Sequence, residues 1–317
     1  MIKLSQLRGF NYQPSWGSSG FEIWQNFNAE LFDVELSRGR KYFPRMDSIR
    51  LWLSWDSFIR NPRLFAARFE TALATAAKYS MKVMPVLFNR WHDSVLDYGG
   101  IYIDHFLPAA NWVQRDGQYD EYLDMIVGGH ATDARIFSWD LCNEPFSYLQ
   151  NFAEQPIVQK QEQVWLTRVY EKCKALGATA PLTVGTHMFT DMSCVEAISD
   201  VISIHPYLIP NLSPTCLSDF QQMLDKNVAI AERTGKALIA TETCWGRFDD
   251  GQRVDLIRQT LTELKQRNIG WMVYLLHHSL IADAHRPEHG PVGYPEYLAF
   301  IEADGSLRAG HGIFNEM

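Results

Sequence analysis

Short runs of apolar and β-branched residues recur along the chain, and each is followed by a stretch whose apolar positions repeat at helical spacing. The first four runs are "LRGFNY" near 7, "SIRLWLSW" near 48, "KVMPVLFN" near 82 and "RIFSWDLCNE" near 135. The second half supplies "PLTVGTH" near 181, "VISIHPY" near 201, "ALIATET" near 237 and "GWMVYLL" near 270. Between them lie amphipathic segments such as 62–80, with Leu64, Phe65, Phe69 and Leu73 on one face, and 155–176.

Near-continuous apolar strands alternating with helices mean a parallel sheet covered by helices, because such strands must be buried on both faces. Eight units of this kind predict an α/β fold, a closed (β/α)8 TIM barrel. An open doubly wound sheet would carry a glycine-rich nucleotide loop after its first strand, and "GFNYQPSWGSSG" lacks that spacing. The chain has no internal repeat, low-complexity tract or Pro/Ser linker, so residues 1–317 are expected to form a single catalytic barrel domain. The loop-like segment 282–294, "ADAHRPEHGPVGY", follows the eighth strand and reads as a lid or substrate-contacting loop.

Composition narrows the field. With 46% hydrophobic and 21% charged residues the chain is ordinary globular protein, and 317 residues suffice for one barrel. A net charge of −8 with interspersed signs argues against nucleic acid or a polyanionic substrate as partner. No apolar run reaches the roughly 18 residues of a membrane span, and "MIKLSQLRGFNYQPSW" lacks the segments of a signal peptide. A cytoplasmic location is the expectation. The five cysteines, at 142, 173, 194, 216 and 244, include no Cys-x-x-Cys pair, which favours reduced thiols over a disulfide framework or a zinc site. The sequon at Asn211 then reads as a chance match.

In a barrel of this type the active face is built from the C-terminal ends of the strands. Reading each strand to its end gives Asn11 and Tyr12, Arg50, Asn89 through His92, Asn143 with Glu144, His187, His205 with Tyr207, Glu242, and His277 with His278. Glu144 and Glu242 stand out, since burying a carboxylate at the end of a core strand costs several kcal/mol unless chemistry needs it there. Paired carboxylates across a cleft are what glycoside hydrolysis requires, an acid for the leaving oxygen and a nucleophile for the anomeric carbon. Either glutamate taken alone also reads as a capping or ion-paired structural acid.

Taken together, "WDLCNEP", the later "TETCWG", Arg50 on the second strand and "HPY" at 205–207 resemble the retaining glycoside hydrolases with (β/α)8 barrels, and within them family 5, the cellulase and mannanase group. The resemblance implies Glu144 as acid/base and Glu242 as nucleophile, with Asn143 on the sugar 2-hydroxyl. It implies Arg50 and Tyr207 beside Glu242, and His205, Asn89, Trp91 and His92 around the cleaved sugar. Trp245, directly after "TETC", is the further platform candidate. Many family members carry a late tryptophan on strand eight; "IGWMVYLLHHS" offers Tyr274 near that place, with His277 or His278 as a polar contact. These departures resemble exo-acting, mannose-directed members and imply a β-mannosidase, with β-glucosidase and endo-glucanase or mannanase open.

Two other classes make distinct demands. A metal-dependent barrel hydrolase calls for a His-x-His pair after strand one, where the chain has Phe10, Asn11 and Tyr12. A silent sugar-binding barrel predicts loss of one carboxylate, and both are present. The expectation is an oligosaccharide substrate, no cofactor, and neither nucleic acid nor membrane as partner.

Overall fold

The computed structural model describes residues 3–90, 106, 117–147, 153–210, 216–281, 285–286, 290–291 and 297–317. Eight parallel strands close into a barrel in chain order. They are β1 (Arg8–Tyr12), β2 (Ser48–Trp52), β3 (Lys82–Val86), β4 (Trp139–Asn143), β5 (Leu182–His187), β6 (Ile202–His205), β7 (Leu238–Ala240) and β8 (Gly270–Val273). Helices α1 (Gly20–Gln25) and α2 (Ala29–Tyr42) follow β1, and α3 (Trp55–Arg60) and α4 (Pro62–Lys78) follow β2. Then come α5 (Asp120–Ile126) before β4, α6 (Gln155–Ala175) after it, α7 (Leu217–Thr234) after β6 and α8 (Asp250–Gln266) after β7. A two-stranded pairing of 285–286 with 290–291 falls within the segment read as a lid; the rest of that segment lies outside the described residues.

The helix α4 illustrates how sequence sets the shell. Asn61 Oδ1 accepts the Leu64 N–H at 3.1 Å and Pro62 takes the first position, where no N–H is needed. Phe65, Phe69, Ala72, Leu73 and Ala76 then recur on one buried stripe against the sheet.

Strand alternation sorts the interior. Register partners such as Asn11, Arg50 and Met84 point to the same side, into the barrel. Leu7, Met84, Val201, Ile239 and Met272 form an apolar floor, and a polar layer of Asn11, Arg50, Asp140, Ser203 and Thr241 lies above it, all buried. On β4 the register shifts between Asp140 and Asn143. Strict alternation would send one of these two residues outward, and the irregularity turns both toward Arg50.

The barrel closes where β8 pairs β1, Gly9 with Met272 and Phe10 with Val273. Outside this seam Phe10 packs on Phe43, Phe300 and Phe314 at centroid distances of 4.8, 5.1 and 4.4 Å, so the chain's last residues cover its first strand. No helix among the described residues is long and apolar enough to cross a membrane. Phe10→Ala should cost about 3–5 kcal/mol through the cavity it opens, read as a lower midpoint in urea unfolding. A loss below about 1 kcal/mol would mean that the seam does not depend on this cluster.

Candidate active site

The site is organised by Arg50, which has no solvent exposure. Its Nε and Nη2 donate to Asp140 Oδ2 at 3.0 and 2.7 Å, Nη2 donates to Asn143 Oδ1 at 2.7 Å, and Nη1 donates to Asn11 Oδ1 at 3.1 Å. Nη1 also donates to Glu242 Oε1. Beneath the guanidinium lies the ring of Trp52, its centroid 4.4 Å from Arg50 Cζ, a cation–π contact.

Glu242 follows β7 and receives a second donor, the Tyr207 hydroxyl, at 2.9 Å from Oε2. Tyr207 in turn stands edge-on to Trp245 at 5.3 Å. Glu144 follows β4 in a left-handed conformation, φ 48°, and Phe146 has φ 61°. A buried ion pair supports this turn: Glu162 on α6 sits 2.9 Å from Arg90 and accepts the Phe146 N–H at 3.1 Å. Positive φ is costly for residues with side chains, so such a turn persists where neighbours hold it.

His205 lies between the acids. Its Nδ1 is 2.6 Å from Glu144 Oε1 and 3.7 Å from Glu242 Oε2, and its Nε2 is 3.1 Å from Thr241 Oγ1. Burial, then the charge of Arg50, holds its pKa well below the ordinary imidazole range, so the ring is neutral. A neutral ring accepts at Nδ1 when Glu144 is protonated and donates there when Glu144 is ionised, with the Thr241 hydroxyl turning to match. One oxygen of each carboxyl and the ring nitrogen lie within 4.8 Å of one another. This donor set is of a kind that divalent ions take, but Arg50 already supplies positive charge beside Glu242. Arg135 does the same for the more exposed group Glu70, His130 and Asp133.

The structure brings Arg50, Asn89, Asn143, Glu144, His205, Tyr207, Glu242 and Trp245 together. Asn143 Nδ2 donates to Asn89 Oδ1 at 3.0 Å. Tyr274 joins them from β8, its hydroxyl donating to Gln13 Oε1 at 2.8 Å and its ring edge-on to Trp52 at 6.1 Å. Beside these residues a cleft opens over the ends of β1 to β3, bordered by Gln13, Trp52, Trp55, Phe88 and Asn89.

His277 is not brought to this group. Its ring faces α2 instead, with Nε2 3.0 Å from Arg38 Nη1 and Nδ1 3.8 Å from Glu35 Oε1. Tyr12, another strand-end residue, joins the same buried network by donating to Glu35 at 2.6 Å. Trp91 and His92 lie outside the described residues.

Three supports escaped the sequence reading. Asp140 balances Arg50, and its signal was a lone acid inside the apolar run "IFSWDLC". Gly185 donates its N–H to Asp140 at 3.0 Å and accepts the Glu144 N–H at 2.8 Å. A Cβ at that position would lie 2.7 Å from His205 Nε2, 2.8 Å from Asp140 Oδ2 and 3.0 Å from Arg50 Nη2; a single glycine within a strand is the mark of such an approach. Arg253 on α8 donates to the carbonyls of Cys244, Tyr274 (2.9 Å) and Leu298 (3.2 Å), tying together the loops that follow β7 and β8.

Known proteins share this architecture. An exo-β-1,4-mannosidase from Opitutaceae bacterium strain TAV5 superposes with a TM-score of 0.73 at 17% identity, over 97% of this chain and 58% of that one. A GH5_18 protein from Streptomyces cattleya, solved with GlcNAc, gives 0.69 at 13% identity over 97% and 78%. The endo-1,4-β-D-mannanase of Thermotoga petrophila RKU-1 gives 0.65 at 16% identity over 98% of both chains. In sequence, 85 residues are 29% identical to mannan endo-1,4-β-mannosidase A of Aspergillus aculeatus, a match spanning 25% of this chain and 22% of that protein. No protein-family model matches. The fold is thus the eight-stranded barrel that these glycoside hydrolases share.

The two carboxyls differ electrostatically. Burial raises both pKa values; at Glu144 the charge of Glu242 adds to the rise and Arg50 opposes it. At Glu242 burial is opposed by the charge and hydrogen bond of Arg50 and by the Tyr207 hydroxyl, so the proton resides on Glu144 and the charge on Glu242. Unfolding returns Glu144 to the ordinary value of 4.5. The folded state therefore holds that proton more tightly, and its contribution to stability is complete below that value and lost as pH rises toward the raised one. Glu144→Gln, which cannot ionise, should exceed the wild type in Tm at about pH 8 by at least about 2 °C and converge with it near about pH 4. An equal difference at both pH values in thermal scans would contradict this electrostatic account.

Proposed function

We propose that the chain is a retaining β-glycosidase that hydrolyses β-linked neutral oligosaccharides by double displacement, with exo-acting β-mannosidase as its specific activity. The observation that carries the reading is the buried Glu144–Glu242 pair, with oxygens within 4.8 Å and unequal surroundings. Retaining enzymes hold their carboxyls about 5–5.5 Å apart, whereas inverting ones leave about 6.5–9.5 Å for a water.

In the first half-reaction Glu242, ionised beside Arg50 and Tyr207, attacks the anomeric carbon. Glu144 delivers its proton to the glycosidic oxygen as the C–O bond breaks, and the leaving group departs as a neutral alcohol. In the second half-reaction Glu144, now a carboxylate facing His205, takes a proton from water. The resulting hydroxide equivalent attacks the same carbon and frees Glu242. In this reading Asn143 meets the 2-hydroxyl, a contact that strengthens in an oxocarbenium-like transition state, and Asn89 lines the subsite beside it.

The mannose preference draws on the solved mannosidase and mannanase, whose names carry that sugar. The cleft bordered by Gln13, Trp52 and Trp55 supports a short glycone with aromatic walls. Endo-action on mannan is the second reading, favoured by the full-length overlap with the Thermotoga mannanase.

Glu242→Ala should abolish turnover of every substrate. Glu144→Ala should lower kcat/KM by about 10² to 10⁴ for poor leaving groups and far less for activated aryl glycosides, which need little acid help. Intact-mass measurement after treatment with 2-fluoro mannosyl and 2-fluoro glucosyl reagents should give an adduct on the peptide containing Glu242, formed faster with the mannosyl reagent. Wild-type turnover by Glu242→Ala would sink the assignment.

A further inference from the structure

Among the described residues, most exposed large apolar side chains lie on helices, as Ile59 and Ile157 do. Phe189, Phe248 and Leu280 lie instead on the loops after β5, β7 and β8, at the face that carries the carboxylates. Phe189 is the most exposed of all, at 62%, and forgoes much of the roughly 1.5–3 kcal/mol that burial would return.

Strand β5 fixes its position. Gly185 bonds the Glu144 backbone through its carbonyl. Two residues on, His187 has the same inward parity one step nearer the mouth, and its Cα pairs with that of His205. The Phe189 ring packs edge-on against the His187 ring at 5.0 Å, and the Phe189 N–H donates to His187 Nδ1 at 3.4 Å. Burial lowers the His187 pKa to about 4, so this base is uncharged near neutral pH. On the opposite side of Glu144, toward β3, stand Asn143 and Asn89, the contacts for the sugar whose bond is cleaved.

The acid donates to the oxygen that joins the two sugars, so the leaving sugar begins at Glu144 and extends away from Asn143 and Asn89. That direction leads to β5. We infer that Phe189, seated on His187, is the platform of the aglycone subsite, stacking on the apolar face of a neutral pyranose as it leaves and again when a sugar acceptor replaces water. The inference rests on the retaining glycosidase reading and deepens it. Aromatic rings suit this task because they offer wide apolar area with little rotamer entropy to lose.

The test separates the leaving sugar from the cleaved one. Wild type and Phe189→Ala are trapped with 2-deoxy-2-fluoro-β-mannosyl fluoride or its glucosyl counterpart, whose fluoride leaving group needs no platform, and both should trap at the same rate. Reactivation is then followed with β-1,4-mannobiose as acceptor. Phe189→Ala should need about tenfold more acceptor for half-maximal reactivation, the factor equivalent to about 1.4 kcal/mol, while its reactivation by water is unchanged. Phe189→Trp should restore acceptor use. An unchanged acceptor dependence in Phe189→Ala, or equal losses in trapping and reactivation, would overturn the platform. A wild type that is never trapped would overturn the glycosidase reading itself, and the platform with it.

Discussion

The buried guanidinium of Arg50 is the contact on which both the barrel interior and its chemistry depend. It makes five hydrogen bonds, reaching β1 through Asn11, β4 through Asp140 and Asn143, and the end of β7 through Glu242. A fully buried cation is expensive unless anions and acceptors compensate it. Asp140 compensates it from inside the barrel, which leaves the Glu242 contact to hold charge on that carboxyl at the mouth. The bonds that lock the polar layer are therefore the bonds that keep one carboxylate charged.

Around Arg50 the constraint is steric as much as electrostatic. Asp140, Asn143, Glu144 and His205 converge on a space that exists because β5 carries no side chain at Gly185 and because β4 departs from strict alternation. Outside the barrel, Glu162 and Arg90 hold the turn that carries Glu144, while Arg253 holds the loops beyond Glu242 and Tyr274. Each carboxylate thus has a backbone support reaching back into the helical shell, so its orientation does not rest on its own rotamer.

Much of this was legible before any coordinates. Strand runs and helical stripes announced the barrel because parallel strands and amphipathic helices carry different hydrophobic periods. Glu144, Glu242, His205 and Tyr207 were visible as polar residues at the ends of apolar strands, and Arg50 as a lone cation within one. Asp140 was overlooked because it lies within a strand, where alternation alone does not reveal that a register shift turns it inward beside Asn143. Gly185 has no functional group to notice; its role is the absence of one. His277 was placed by its position after strand eight, but the chain turns there to meet Ile301, and its ring faces Glu35 and Arg38. Strand-end counting holds for the one or two residues beyond a strand, as at Tyr207 and Glu242, and fails four residues beyond β8.

The segment 297–317 has a consequence for how the protein is made. Phe300 and Phe314 cover Phe10, and Arg308 donates to carbonyls of Tyr297, Ala299 and Arg247. During synthesis the first strand emerges long before either its partner β8 or these aromatic residues. The growing chain must therefore carry one unpaired, apolar β1 edge until residues 270–314 have left the ribosome, a period in which such edges invite association with other chains.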